Sequence, residues 1–361
     1  MKLSNLPYVI KKEVLDCMSI NSIFFLSLCS KNTKNFIVQT QKYQLEKIGE
    51  VNYWINGKAM SIDMEMDSIG IAHDIMVFYK TPTDFIDEIA QCKEGDAVEE
   101  VRVSELGVSI DFFRSPTSSS SLHVKYTHDN VESIIERIHD HLYELLGHRT
   151  EFRMWSTHEG STQYLPMIPN IRKLGLWDGA FASKRIDEFL SRSTCLEYFV
   201  WGEEDNEIRK LEKSSKIYEL HTVDVRFNDS VARDLVKHFN GRHVFLDCGG
   251  VTATDVVELL NAWKSGAKFR NLEVFYMVAD FDVFVIRESI ELKELNTKVV
   301  YSFTRKEKLC DDLQIAPSEF ESQTYIVRDS DGHVASVLLE GAVIFMGVWN
   351  LTEKELLEKF Q

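Results

Sequence analysis

The chain of 361 residues is 44% hydrophobic and 27% charged, a balance close to the globular average that excludes wholesale disorder, collagen-like repeats and a disulfide scaffold. At roughly 100–200 residues per domain, that length allows two or three domains. With 41 basic and 57 acidic residues the formal net charge is −16, which repels phosphate backbones and anionic lipid and predicts no nucleic-acid and no membrane partner.

Six cysteines, at 17, 29, 92, 195, 248 and 310, form no Cys-x-x-Cys pair and are read as reduced, mostly buried thiols. Met1 to Leu6 has neither the basic start nor the apolar stretch of a secretory signal, which predicts a cytoplasmic or nuclear location. The longest apolar stretch, Val334 to Trp349, is broken by Glu340 and is shorter than the ~20 residues that span a bilayer. The sequons at Asn228 and Asn350 are read as chance.

Residues 3–38 predict three short helices. Pro7 suits a first helical position, and Ile10, Val14 and Met18 stack at i, i+4 and i+8, with Val9 and Leu15 widening that face. In the second helix, with Ser22 as its expected cap, Ile23, Phe24, Phe25, Leu26 and Leu28 cover nearly the whole circumference. A helix apolar all round is buried all round, and a segment of about 40 residues does not enclose one by itself. The rest of the chain or another protein must cover it.

The order Leu6-Pro7, Val14-Leu15, Met18, Leu26-Ser27-Leu28-Cys29-Ser30-Lys31 and Phe36-Ile37 resembles the F-box. In that family the helices dock onto a Skp-type adaptor, which links them to a cullin and a ubiquitin-conjugating enzyme. The resemblance implies that Leu6, Pro7, Val14, Leu15, Phe24, Leu26 and Leu28 supply the adaptor contact or the small core behind it. The tryptophan common in the family two residues after Ser-Lys is Thr33 here, which removes a large anchor.

Val51 to Ile55 and Met60 to Met66 alternate around Asn56-Gly57, the pattern of a β-hairpin. Strands are also expected at Ile75 to Tyr79, Val98 to Val103, Val108 to Phe113 and Leu122 to Tyr126, with a loop at Ser115 to Ser121. Asp129 is the expected cap of a helix carrying Val131, Ile134, Ile135, Ile138, Leu142, Leu145 and Leu146 to Gly147. His139 and His141 stand two apart on that helix and point to different faces, so they do not share a metal.

From Ile171 the chain repeats: Ile171-x-x-Leu174-x-Leu176, Leu196-x-x-Phe199-x-Trp201, Leu220-x-x-Val223-x-Val225, Val244-x-Leu246 and Leu272-x-x-Phe275-x-Met277, with central positions 25, 24, 21 and 31 apart. Helical stretches intervene at Ile186, Phe189 and Leu190, at Val231, Leu235, Val236 and Phe239 behind Asp229, and at Val256, Leu259, Leu260 and Trp263 behind Thr254. The alternation predicts a leucine-rich-repeat-like solenoid, a parallel sheet backed by helices. The ninth repeat position, where asparagine is usual, holds Gly179, Glu204, Asn228, Gly249 and Asp280. The residues facing the other side include Lys173, Trp177, Tyr198, Arg226, Phe245 and Tyr276, a mixture enriched at protein interfaces. Trp177, Tyr198, Arg226, Phe245 and Tyr276 are therefore the candidate target-binding residues. In the opposing reading, the β-rich middle or the C-terminal strands lie across this face and bury its aromatics as core.

Leu260-Asn261-Ala262-Trp263-Lys264-Ser265-Gly266 and Asn271-Leu272-Glu273, with Tyr325-Ile326-Val327-Arg328, the turn Asp329 to Gly332, Ala335-Ser336 and the closing Phe345, Val348 and Trp349, resemble the F-box-associated domain type 2 of nematode F-box proteins. The fold expected is mixed: an F-box over 1–43, a β-rich region over 44–150 ending in an amphipathic helix, and a repeat domain over 151–361 that closes with a β-hairpin and helix.

Nucleophile-elbow, phosphate-loop, dinucleotide and His-Glu-x-x-His signatures are all missing from the sequence. Gly249-Gly250 loosely suits phosphate binding, but a repeat turn needs glycine just as well. The run Glu203-Glu204-Asp205 is read as a solvated loop, and Cys17 and Cys29 as buried and unreactive. No catalytic residue, cofactor or metal is expected. The function expected is the substrate-recognition subunit of a cullin-based ubiquitin ligase, with a Skp-type adaptor, a cullin and an unknown target protein as partners. The alternative is a binding scaffold whose N-terminal helices only cap the solenoid.

Overall fold

The structure, a computed structural model, describes residues 5–55, 59–66, 72–79, 111–114, 122–125, 131–156, 165–177, 183–202, 211–278, 280–281, 283–303 and 317–360. The chain divides into two compact units, Met1–Leu174 with Arg192–Cys195, and Gly175–Ser191 with Leu196–Gln361. None of the described helices is long and apolar enough to cross a membrane.

The first unit begins with α1 (Tyr8–Asp16), α2 (Ile20–Leu28), α3 (Lys31–Thr40) and the short α4 (Lys42–Leu45). Ser19 caps α2, its hydroxyl accepting from the Ser22 amide at 3.3 Å. The sequence expectation of Ser22 is thus corrected: starting three residues earlier lets Ile23, Phe24 and Leu28 all point inward, where they are buried. Ser30 caps α3 in the same manner, accepting from Thr33 N–H at 3.2 Å.

Strands β1 (Ile48–Ile55), β2 (Ala59–Met66), β3 (Ala72–Tyr79), β4 (Asp111–Arg114), β5 (Leu122–Lys125) and β6 (Glu151–Ser156) follow, in the order β6-β1-β2-β3-β5-β4. The expected hairpin pairs Ile55 with Met60 in antiparallel register; its Asn56-Gly57 tip lies outside the described residues. So do the strand expected at Val98 to Val103, the loop at Ser115 to Ser121 and the Asp129 cap. Helix α5 (Val131–Leu146) buries Ile134, Ile135, Ile138, Leu142 and Leu145, and ends at Gly147 with φ +80°.

The chain passes between the units through β7 (Lys173–Leu176) and α6 (Ser183–Arg192). In the second unit β8 (Tyr198–Gly202), β9 (Thr222–Arg226), β10 (His243–Asp247) and β11 (Val274–Val278) pair in parallel, with α7 (Asp229–His238) and α8 (Ala253–Lys264) in two of the crossovers. Asn228, not Asp229, caps α7, and Thr252, not Thr254, caps α8 through a reciprocal box with Asp255. Each correction moves the cap to the residue whose backbone is still extended or irregular, which lets its side chain reach the amide three residues on.

After α9 (Phe284–Ser289), strands β12 (Lys293–Ser302), β13 (Glu319–Val327), β14 (His333–Glu340) and β15 (Val343–Thr352) form an antiparallel run, and α10 (Glu353–Phe360) closes the chain. The expected β13–β14 hairpin is present with Gly332 at φ +75°. It does not stand apart, because β15 pairs antiparallel with β11. Phe245, Val274, Tyr301, Phe320 and Phe345 then form one buried cluster, and Leu295, Val299, Tyr325, Val334 and Leu356 a second.

Candidate functional site

Helix α1 buries only Leu15. Tyr8 is 62% exposed, Val9 64%, Ile10 47% and Val14 38%, so a helix of nine residues presents four large apolar side chains to solvent. Pro7 is exposed beside them, and Leu6 and Leu26 are half-buried. The seven residues expected to bind an adaptor therefore separate. Leu6, Pro7, Val14 and Leu26 are at the surface, while Leu15, Phe24 and Leu28 are buried as the small core behind it. Tyr8, Val9 and Ile10 extend the surface; their signal in the sequence was the run of apolar residues directly after Leu6-Pro7.

Residues of the same unit, not a partner, cover the inner side of α2. The Phe24 ring meets His141 of α5 edge-on at 6.0 Å, and Ser27 Oγ lies 2.7 Å from His141 Nε2. Ser27 donates its only hydroxyl proton to the Phe24 carbonyl, so His141 donates from Nε2. Burial, with the nearby Lys34 ammonium, pushes His141 down to about 4. Lys34 itself pairs with Glu144 of α5 at 2.6 Å. Two positions along the helix, His139 faces the other way, its Nδ1 2.8 Å from the Tyr53 hydroxyl, and desolvation holds it at about 4. The two side chains thus point to different faces, as their spacing predicts. Thr33, in place of the tryptophan, binds Ser30 Oγ through its own hydroxyl at 2.7 Å and so reinforces the α3 cap.

Cys17 and Cys29 are exposed, a correction to the expectation that both are buried. Each is the C-cap of its helix, where the chain turns outward. Partial desolvation still raises the Cys29 thiol.

The face expected to bind a target is largely closed. Tyr198 is fully buried and Phe245 3% exposed, while Arg226 is 7% exposed; only Trp177 and Tyr276 are half-buried. β8 and β9 are buried at every position, as parallel strands covered on both faces are. The expectation of an open aromatic surface is corrected accordingly. At the Phe245 end the covering residues come from the C-terminal strands, as in the opposing reading: Phe303 stacks on Phe245 at 6.2 Å and Phe320 on Phe345 at 4.1 Å. At the other end the polar residues satisfy one another. Arg226 donates from Nε and Nη2 to Asp224 at 3.2 and 3.3 Å, Tyr198 donates to Asp224 at 3.2 Å, and the guanidinium sits 5.8 Å from the Trp177 ring. Asp224 holds Arg226 above its ordinary value in spite of burial. Lys173 is likewise paired, with Glu151 at 2.9 Å.

The two C-terminal segments singled out in the sequence meet. Arg328 lies over the Trp263 ring at 5.1 Å, Asp329 N–H donates to the Lys264 carbonyl at 2.7 Å, and Arg328 binds Asp331 through Nε and Nη2. That guanidinium holds the Asp331 carboxyl well below the usual carboxylate range.

One cavity of about 570 Å³ opens among Phe227, Asp229, Asp247, Cys248, Gly249, Val278 and Asp280. The sequence pointed there through the ninth repeat positions, two of which, Gly249 and Asp280, line it, and through the Gly249-Gly250 pair. Its three carboxylates oppose the phosphate that Gly249-Gly250 loosely suggests. Among the described residues no group of His, Cys, Asp and Glu is arranged to hold a metal ion.

Compared with known families, residues 3–45 match the F-box domain. No curated protein and no solved structure matches the chain. The matched segment spans α1 to α4, the helices whose outer side carries the exposed apolar residues, and it supports an F-box protein.

Proposed function

We propose that this protein is the substrate-recognition subunit of an SCF-type cullin-RING ubiquitin ligase. The F-box match over residues 3–45 carries the reading, and the exposed apolar face of Tyr8, Val9, Ile10 and Val14 supports it. Leu6, Pro7, Val14 and Leu26 contact the Skp-type adaptor, with Leu15, Phe24 and Leu28 as the core that holds them in place. The adaptor links the chain to a cullin, in the cytoplasm or nucleus. The leucine-rich-repeat-like F-box-associated domain of type 2, which follows the β-rich region, holds the target. The junction of Trp263 with Arg328 supports that assignment, because the two segments that resemble this domain pack on each other. Catalysis is by proximity: holding target lysines near a charged conjugating enzyme raises their effective concentration, and this chain does no chemistry itself.

The scaffold alternative makes α1 a solenoid cap, and a cap has a polar outer face. Four exposed apolar residues on nine oppose it. The test is co-expression with a Skp-type adaptor followed by size-exclusion chromatography of the wild type, an Ile10→Asp/Val14→Asp variant and a Leu6→Asp/Pro7→Asp variant. The wild type is expected to co-elute one to one and both variants to elute alone, with circular dichroism unchanged. Variants that co-elute like the wild type remove adaptor binding from this face. A wild type that elutes alone as a stable monomer favours the scaffold.

A further inference from the structure

The cavity lies at the carboxyl ends of three parallel strands, where open sheets with helical crossovers place their ligands. Phe227 follows β9, Asp247, Cys248 and Gly249 end β10, Val278 and Asp280 end β11, and Asp229 opens α7. Its volume of about 570 Å³ falls within the ordinary range of ligand sites.

Its lining combines two chemistries. Phe227 is 59% exposed and, with Val278, offers an apolar wall. Asp229, Asp247 and Asp280 supply negative charge, and among the described residues the lining contains no basic side chain. None of the three carboxylates forms a salt bridge among the described residues. Arg226, which senses Asp247, is committed to Asp224. Burial, and then Asp229, Asp247 and Asp280, push the Cys248 thiol up to about 12. Close approach is built in at Gly249, where a Cβ would lie 2.3 Å from Asp280 Oδ2.

We propose that this cavity seats a basic side chain, lysine or arginine, of the target protein. An ammonium or guanidinium fits the carboxylates, and its alkyl stem lies along Phe227 and Val278, where the ring also faces the cation. A bare metal ion does not fit, because the acidic groups are not gathered at ligating spacing. The proposal rests on the receptor reading for the identity of its ligand as a target, but the cavity itself stands on its own geometry.

The test titrates the full-length protein, co-expressed with the adaptor, with three capped peptides, acetyl-Ala-Arg-Ala-amide and its Lys and Glu counterparts, by isothermal titration calorimetry at low salt. Saturable binding of the Arg and Lys peptides is expected, weakened by salt, with the Glu peptide silent. Asp247→Asn/Asp280→Asn is expected to weaken the Arg peptide at least about tenfold. Phe227→Asn should weaken it about threefold at unchanged Tm, since Asn tolerates the φ of +58° found there. Equal binding of the Glu peptide, no binding of the basic peptides, or unchanged affinity in the Asn variants overturns the proposal. Saturable calcium binding that excludes the Arg peptide also overturns it. Adaptor co-elution of the same preparations separates the two readings. Adaptor bound without peptide binding defeats the cavity proposal alone, and peptide binding without the adaptor defeats the receptor reading alone.

Discussion

Gly266 has φ +69°, and a Cβ built there would lie 2.4 Å from Ser330 Oγ. Gly332 has φ +75° with nothing within 4 Å of such a Cβ. Alanine at either site bears the left-handed backbone cost of about 1–2 kcal/mol, and at Gly266 it also displaces the turn that holds Arg328 over Trp263. Gly266→Ala is therefore expected to destabilise the chain by about 2–3 kcal/mol and Gly332→Ala by about 1 kcal/mol, measured by urea unfolding. Equal losses would show that the contact with Ser330 yields freely. Trp263, fully buried, is expected to cost about 3–5 kcal/mol when replaced by alanine. The sequence singled out Trp263 and Gly266 by motif alone, and their reason is this packing. Cap residues were harder to read. Ser22, Asp229 and Thr254 each stand near another polar residue that caps instead, and only the backbone path selects which side chain reaches the free amide.

Helix α5 connects to the N-terminal helices through Phe24–His141, Ser27–His141 and Lys34–Glu144. His139 and His141 are both held at about 4, far below the ordinary 6.5. The folded state favours their neutral forms, so the stabilisation is complete above about pH 6.5 and is lost as pH falls from there towards about 4. His243, also at about 4, adds the same sign. Tm is expected to fall steeply between about pH 6.5 and about 4.5, and the slope to be shallower in His139→Gln/His141→Gln, whatever its absolute Tm. Identical slopes would mean that both histidines already titrate as they do in the unfolded chain. The existence of α5 and its C-terminal end were legible because its apolar period runs unbroken to Gly147. The polar partners of its histidines come from distant sequence and were not.

At the scale of the whole molecule, coverage by its own chain bears on how the N-terminal segment is tested. A version beginning at Gln44 removes Leu15, Ile23, Phe24, Leu28 and Ile37, all buried, and strips α5 of its contacts with the N-terminal helices. Such a truncation is expected to lower Tm by more than about 5 °C or to aggregate. Surface substitutions at Ile10 and Val14 therefore isolate adaptor binding, and removal of the segment does not. A truncated chain as stable as the full one would show that the N-terminal helices add nothing to the first unit.

The sequence by itself determined the kind and order of many elements, though not β6, α9 or β12: helices where apolar residues recur every three or four positions, strands where they alternate, and a match to the F-box from the order of a few residues between Leu6 and Ile37. Those signals are local, and local spacing decides secondary structure. Which faces remain open was decided only by the tertiary structure. Tyr198 and Phe245 have the alternation of a recognition surface, yet β15 pairs with β11 and brings Phe303 and Phe320 over that end. Ile10 and Val14 have the period of a core face and are left in solvent. Burial depends on what arrives from remote parts of the chain, and no spacing within a segment contains it.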